Sequence, residues 1–148
     1  MKAITILVTV TILILGGSVA CLAALDYVGI VKTIAGEVVI VRNAQTIKAE
    51  ANTKLLKGDL VRTGPNGKVG LIFEDDTVVS MGSNSKIMIE QFLFQPAEKK
   101  LSFIARIFQG TASFLSGQLA KLAPNLVYIE TPQATIGMRG THLLVKVD

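Results

Sequence analysis

"KLLKGDLVRTGPNGKVGLIFEDDTVVSMGSNSKIMI", Lys54 to Ile89, is the stretch that decides how this chain folds. Its apolar residues recur at every second position. Val69, Leu71 and Phe73 share one side of "KVGLIF", and Thr77, Val79 and Met81 share one side of "TVVSM". That period of two is the signature of a half-buried β-strand. Turn chemistry separates the runs. In "TGPNGK" (63–68) Pro65 presets φ and Asn66-Gly67 accepts positive φ, which reverses the chain. "EDDT" (74–77) is short enough for a tight hairpin, since Asp tolerates the left-handed region. "GSNS" (82–85) makes a third reversal.

The same pattern extends in both directions. Upstream, "GEVVIVR" (36–42) is short and β-branched. Downstream, "KIMIEQFLF" (86–94) alternates and is joined through "QPAEKK" (95–100) to "LSFIARIF" (101–108), where Leu101, Phe103, Ala105 and Ile107 share a face. "LVYIE" (126–130) and "HLLVKV" (142–147) follow. The one helical candidate, "SGQLAKLAP" (116–124), is long enough only for a surface turn. Short strands at about 8–12-residue spacing predict one all-β domain, an antiparallel sandwich or barrel, over residues 26–148.

Residues 1–25 read differently. From Ala3 to Leu25 there is no charged residue, and this run contributes much of a mean hydropathy of +0.53. Lys2, the apolar Ala3–Leu15 and the small residues Ser18 and Ala20 fit a cleaved signal peptide. The run also just meets the ~20 residues of an uncleaved anchor. With Lys2 as the flanking cation, either reading sends the body beyond Asp26 out of the cytoplasm. Cys21 is the sole cysteine, so no internal disulfide forms. "SVAC" (18–21) resembles a bacterial lipoprotein box, with Ser18 where a branched apolar residue is usual, which makes Cys21 a candidate for lipid attachment.

Net charge is +4, from 15 Lys and Arg against 11 Asp and Glu. In sequence the basic residues are scattered, with no run and no aromatic interleaving, so nucleic-acid binding is not expected.

Two groups of residues resemble the FecR-like domain family. The first is Gly58-Asp59, Thr63-Gly64, Asp75-Asp76-Thr77 and Asn84-Ser85; the second is Thr131, Pro132, Ala134, Gly137, Arg139, Gly140 and Thr141. "GEVVIVR" resembles the family's opening strand, and the likeness spans about Val31 to Val147. Asp76 stands where that family usually carries Gly, and His142 where an aromatic or acidic residue is common. The resemblance implies an extracytoplasmic, non-enzymatic all-β module. In well-known members this module is the periplasmic part of a regulator that relays an outer-membrane signal to a sigma factor. Only Met1-Lys2 precede the apolar run, so binding of a sigma factor is not expected.

Arg139, between Gly137 and Gly140, is the leading candidate site. A guanidinium presents five donors in a rigid fork, suited to clamping Asp59 or Asp75 or to binding an external anion. Glu74-Asp75-Asp76 lacks the ligand spread of a calcium loop and reads as a solvated turn. His142, the sole histidine, reads as a strand residue near an edge, and Thr131-Pro132 as a strand end. No metal or cofactor is expected. "FQGTASFLSG" (108–117) and "QFLF" (91–94) offer apolar surface for a partner. The expected function is an envelope module that binds a protein or polysaccharide. Its rivals are a membrane-tethered or lipidated structural protein and a glycan-acting enzyme using Asp59 and Asp75.

Overall fold

A computed structural model describes residues 26–139 and 142–148; the signal or anchor readings, Cys21, Gly140 and Thr141 lie outside the described residues. The chain forms β1 (Tyr27–Ala35), β2 (Val38–Arg42), β3 (Gln45–Lys48), β4 (Lys54–Leu56), β5 (Leu60–Thr63) and β6 (Lys68–Phe73). These are followed by β7 (Val78–Met81), β8 (Lys86–Gln95), β9 (Lys100–Leu115), α1 (Gln118–Leu122), β10 (Val127–Glu130), β11 (Thr135–Gly137) and β12 (His142–Val147).

The strands make one curled, mainly antiparallel sheet, a half-barrel whose two halves share β9. The front half runs β4-β1-β6-β7-β9-β12, and the back half β3-β2-β5-β8-β9-β10-β11. β9 pairs with β8 and β10 through its first part and with β7 and β12 through Gly110–Leu115. Two local features let it change halves. The register slips opposite Lys86/Ile87, so Phe108 and Gln109 both face out, and Gly110 then adopts φ +92. A side chain there would be strained, and its Cβ would fall 2.5 Å from Ser85 Cα.

The expected alternation holds. Val69, Leu71, Phe73, Val79, Met81, Phe103, Ala105 and Ile107 all point into the core. Phe73 of the front half meets Phe92 and Phe103 of the back half at ring-centroid distances of 5.4 and 5.1 Å. Each such pair adds about 0.5–1.5 kcal/mol beyond area burial.

The structure corrects the sequence reading in three places. β10 runs parallel to β9 rather than antiparallel, because the α1 crossover returns the chain in its original direction. β1, β3, β4, β5 and β11 were not read as separate strands. The β2–β3 hairpin, for example, turns on Asn43-Ala44 at φ 49 and 62, so Ala occupies a position that normally announces itself as Gly. Lastly, "FQGTASFLSG" is not one exposed patch. Phe114 is fully buried while Phe108 and Leu115 face solvent.

Candidate functional site

The polar residues of the first motif are buried, and their hydrogen bonds go to the fold. Asp59 is 1% exposed and accepts from Arg42 Nε at 2.9 Å, Arg42 Nη2 at 2.7 Å and the Leu56 N–H at 2.8 Å. Arg42 also donates to the Lys54 carbonyl at 2.9 Å. One guanidinium thus ties the end of β2 to the β4–β5 turn. The hydrogen bond to Asp59 raises the Arg42 pKa above its ordinary value.

A second node holds the kink in β9. Thr63 Oγ1 donates to the Gly82 carbonyl at 2.6 Å and accepts from the Ser85 N–H at 2.9 Å. Ser85 Oγ in turn accepts from the Thr111 N–H at 3.0 Å and lies 3.1 Å from the Thr111 carbonyl. Thr63 and Ser85 are 4% and 1% exposed, so two turns and the strand that joins both halves meet through hydroxyls.

The third node is the acidic hairpin. Asp75 is 1% exposed and accepts from the Thr77 hydroxyl at 2.7 Å, the Thr77 N–H at 3.1 Å and the Leu119 N–H at 3.2 Å. It therefore caps α1 from a different part of the chain, satisfying a donor that the helix start leaves open. Gly117 packs on the hairpin backbone so closely that its Cβ would lie 2.7 Å from Asp76 carbonyl carbon. Asp76 sits at φ +68, the left-handed geometry that favours Gly, and accepts from Gln118 Nε2 at 2.8 Å. The triplet is therefore not a uniformly solvated turn: its central carboxylate is a buried structural acceptor.

The second motif is placed differently. Thr131 closes the β10–β11 turn, with its hydroxyl accepting from the Ala134 N–H at 3.0 Å. Arg139 follows β11 and is exposed. The expected clamp from Arg139 to Asp59 or Asp75 is not what joins the sheet. Asp59 is held by Arg42, and Asp75 by Thr77 and α1. Arg42 was missed because its motif partner lies 17 residues away and only strand register brings them together. Asp59 and Asp75 are each engaged at their own turns.

Two surface arrangements also escaped the sequence reading. Arg106 donates to Glu130 Oε2 through Nη2 at 2.6 Å and Nε at 3.0 Å, and lies 3.1 Å from Glu90 Oε1. Partial burial, then a hydrogen bond with Glu130, pushes the Glu90 carboxyl up. The Arg106 hydrogen bond, then that of Glu90, pulls Glu130 down. His142 Nε2 lies 2.6 Å from Ser113 Oγ, an exposed cross-strand contact beside the register pair His142–Leu115. Local sequence gives no sign of this contact, because 29 positions separate the two side chains.

Open grooves of about 520 and 470 Å³ flank this body. The larger is lined by Asp26, Tyr27, Lys57, Glu74, Phe92 and Phe94, and the smaller by Arg106, Phe108, Glu130, Thr131, Pro132 and Thr135. Among the described residues, no cluster of three or more His, Cys, Asp and Glu could hold a metal ion, and no helix is long and apolar enough to cross a membrane. The most exposed large apolar side chain is Leu144 on β12, at 70%, on the same face as Leu115 at 48%.

A family model described as FecR protein matches residues 59–148. No curated protein and no solved structure matches the chain.

Proposed function

Because the chain belongs to the FecR family, whose members are regulatory and signal-sensing proteins, we propose that it is a non-catalytic interaction module of the bacterial cell envelope. The observation that carries this reading is the division of labour among its polar residues. Asp59, Thr63, Asp75, Thr77 and Ser85 are buried and spent on backbone and side-chain partners within the fold. Outside them the molecule presents the β12 edge and exposed apolar side chains such as Leu144 and Leu115.

The edge we assign to a partner is β12. It pairs only with β9 among the described strands, so its other side is free to accept a strand. Leu144 and Leu115 lie diagonally on the adjoining face and supply side-chain specificity for an extended segment of an envelope protein. Export is carried by residues 3–25, with Cys21 as the point of lipid attachment if the chain is tethered. Arg139, exposed after β11, is the position proposed to receive an anion on the partner. A photo-crosslinking residue at Leu144, compared with one at Gln45 on the exposed edge strand β3 at the other end of the sheet, tests the assignment in an envelope fraction. A discrete adduct at 144 alone supports it, and equal labelling at both positions refutes it. Intact mass separates the N-terminal readings: a start after Ala20, a start at Cys21 with added acyl mass, or the whole chain.

A further inference from the structure

Asp26 lines the larger groove, and β1 starts one residue later at Tyr27. The uncharged run Ala3–Leu25 therefore leads directly into this groove, with no spacer in the sequence between them. Both tethered forms of the proposed module put the same end of the sheet at the bilayer. Held through the run itself, the chain leaves the membrane beside Asp26. Held through a lipid on Cys21, it has about five residues of slack, which reach at most ~18 Å.

The end of the sheet at that point does not have the composition of a solvated loop. β8 and β9 continue past their last buried pair, Phe92 and Phe103, into a hairpin tip in which no residue from 93 to 102 is fully buried. Three further residues along β8 carry the tip about 10 Å beyond that pair. A tip standing in water would be polar, yet this one carries Leu93, Phe94 and Leu101, all half-buried, with Phe94 and Leu101 paired across the strands. Leu93 and Phe94 line the groove together with Tyr27, which is 40% exposed and has Lys54 Nζ 4.7 Å from its ring centroid. Aromatic rings beside lysines suit the boundary between membrane and water, where ring and stem find apolar surroundings while hydroxyl and ammonium reach water. The formal charges here balance, Lys54 and Lys57 against Asp26 and Glu74, so apolarity rather than headgroup charge selects the surface.

We propose that this end of the sheet docks on the membrane, with the hairpin tip 93–101 seated in the headgroup layer and Tyr27 and Lys54 at its margin. The proposal rests on the tethered reading, because the tether is what brings the groove to a bilayer. Docking sets the orientation of the body, so the β12 edge is offered to a partner at one angle instead of tumbling on its tether. That lowers the ordering cost a partner must meet.

The chain contains no tryptophan, so a single introduced one reports its own depth. Gln95→Trp at the exposed tip is compared with Asn66→Trp, in the exposed turn beyond the far end of β1. Each full-length chain is purified from the envelope fraction and reconstituted in phosphatidylcholine vesicles that carry a nitroxide on the headgroup. Quenching at 95 should exceed quenching at 66 by about fivefold. Leu93→Glu should cut quenching at 95 by about threefold while the chain still floats with the vesicles. This second arm separates docking from mere nearness to the tether, which a charge at 93 leaves unchanged. Equal quenching at 95 and 66, or quenching at 95 that Leu93→Glu does not move, overturns the docking and leaves the tether standing. Quenching that appears only once phosphatidylglycerol is added overturns the apolar basis of the docking. A chain that does not float with the vesicles overturns the tethered reading, and this inference with it.

Discussion

Replacing Arg42 with methionine removes the guanidinium that joins β2 to the β4–β5 turn and leaves Asp59, 1% exposed, with the Leu56 N–H as its remaining donor. Breaking a buried pair by deleting one partner costs about 3–5 kcal/mol. The Arg42 side chain is 26% exposed, so water can reach part of the vacated fork, and the lower end of that range applies. Losing the bond to the Lys54 carbonyl, itself exposed, adds little. The expected cost is therefore about 3 kcal/mol, a drop of about 10–15 °C in Tm for a body of this size. The assay is urea unfolding followed by circular dichroism, run beside Arg139→Met, which is expected to stay within about 0.5 kcal/mol as an exposed substitution. The double variant Arg42→Met with Asp59→Leu should recover most of the loss, since an apolar pair leaves no unpaired charge. A cost below about 1 kcal/mol for Arg42→Met, or a larger one for Arg139→Met, would refute the assignment of the clamp to Arg42.

Asp75→Ala strands the Thr77 hydroxyl, the Thr77 N–H and the Leu119 N–H, and should cost about 3–5 kcal/mol by thermal unfolding while freeing α1, read as loss of amide protection at Leu119. Ala44→Gly relieves a left-handed alanine at φ 62 and should stabilise by about 0.5–1 kcal/mol, seen as a higher urea midpoint at unchanged slope. By carboxyl NMR, Glu90 should titrate above the ordinary glutamate range and Glu130 below it, and Arg106→Leu should raise Glu130. Glu130 contributes stability above its unfolded pKa that is lost as pH falls through its folded value. Glu90, being raised, costs stability as pH climbs through its own folded value. The two windows adjoin rather than coincide, so stability through these groups rises as pH approaches the ordinary glutamate pKa from below and falls as pH climbs above it.

What the chain alone determined is local. Alternation placed Leu71, Val79, Phe103 and Ile107 in the core because the side-chain period of a strand is fixed by its backbone. The turn at Asp75–Asp76 was legible because it needs a residue that reaches a special dihedral, as Asp76 does at φ +68. At 63–68 the reversal forms, but neither Asn66 nor Gly67 takes the expected positive φ; Gly67 is needed instead because a Cβ there would run into the Glu37 carbonyl oxygen. The motif residues were legible too, but their partners were not. Arg42 reaches Asp59 across 17 positions, Ser85 reaches Thr63 across 22, and Leu119 reaches Asp75 across 44. Such pairings depend on which strands lie side by side, and local sequence carries no record of register between distant strands. The same holds for charge. Lys48, Arg62 and Lys86 are scattered along the chain, and only the β3-β2-β5-β8 order aligns them into a strip. Tertiary structure therefore decided which arginine holds Asp59 and which scattered cations line up, because both depend on neighbours that the backbone supplies only once it has folded.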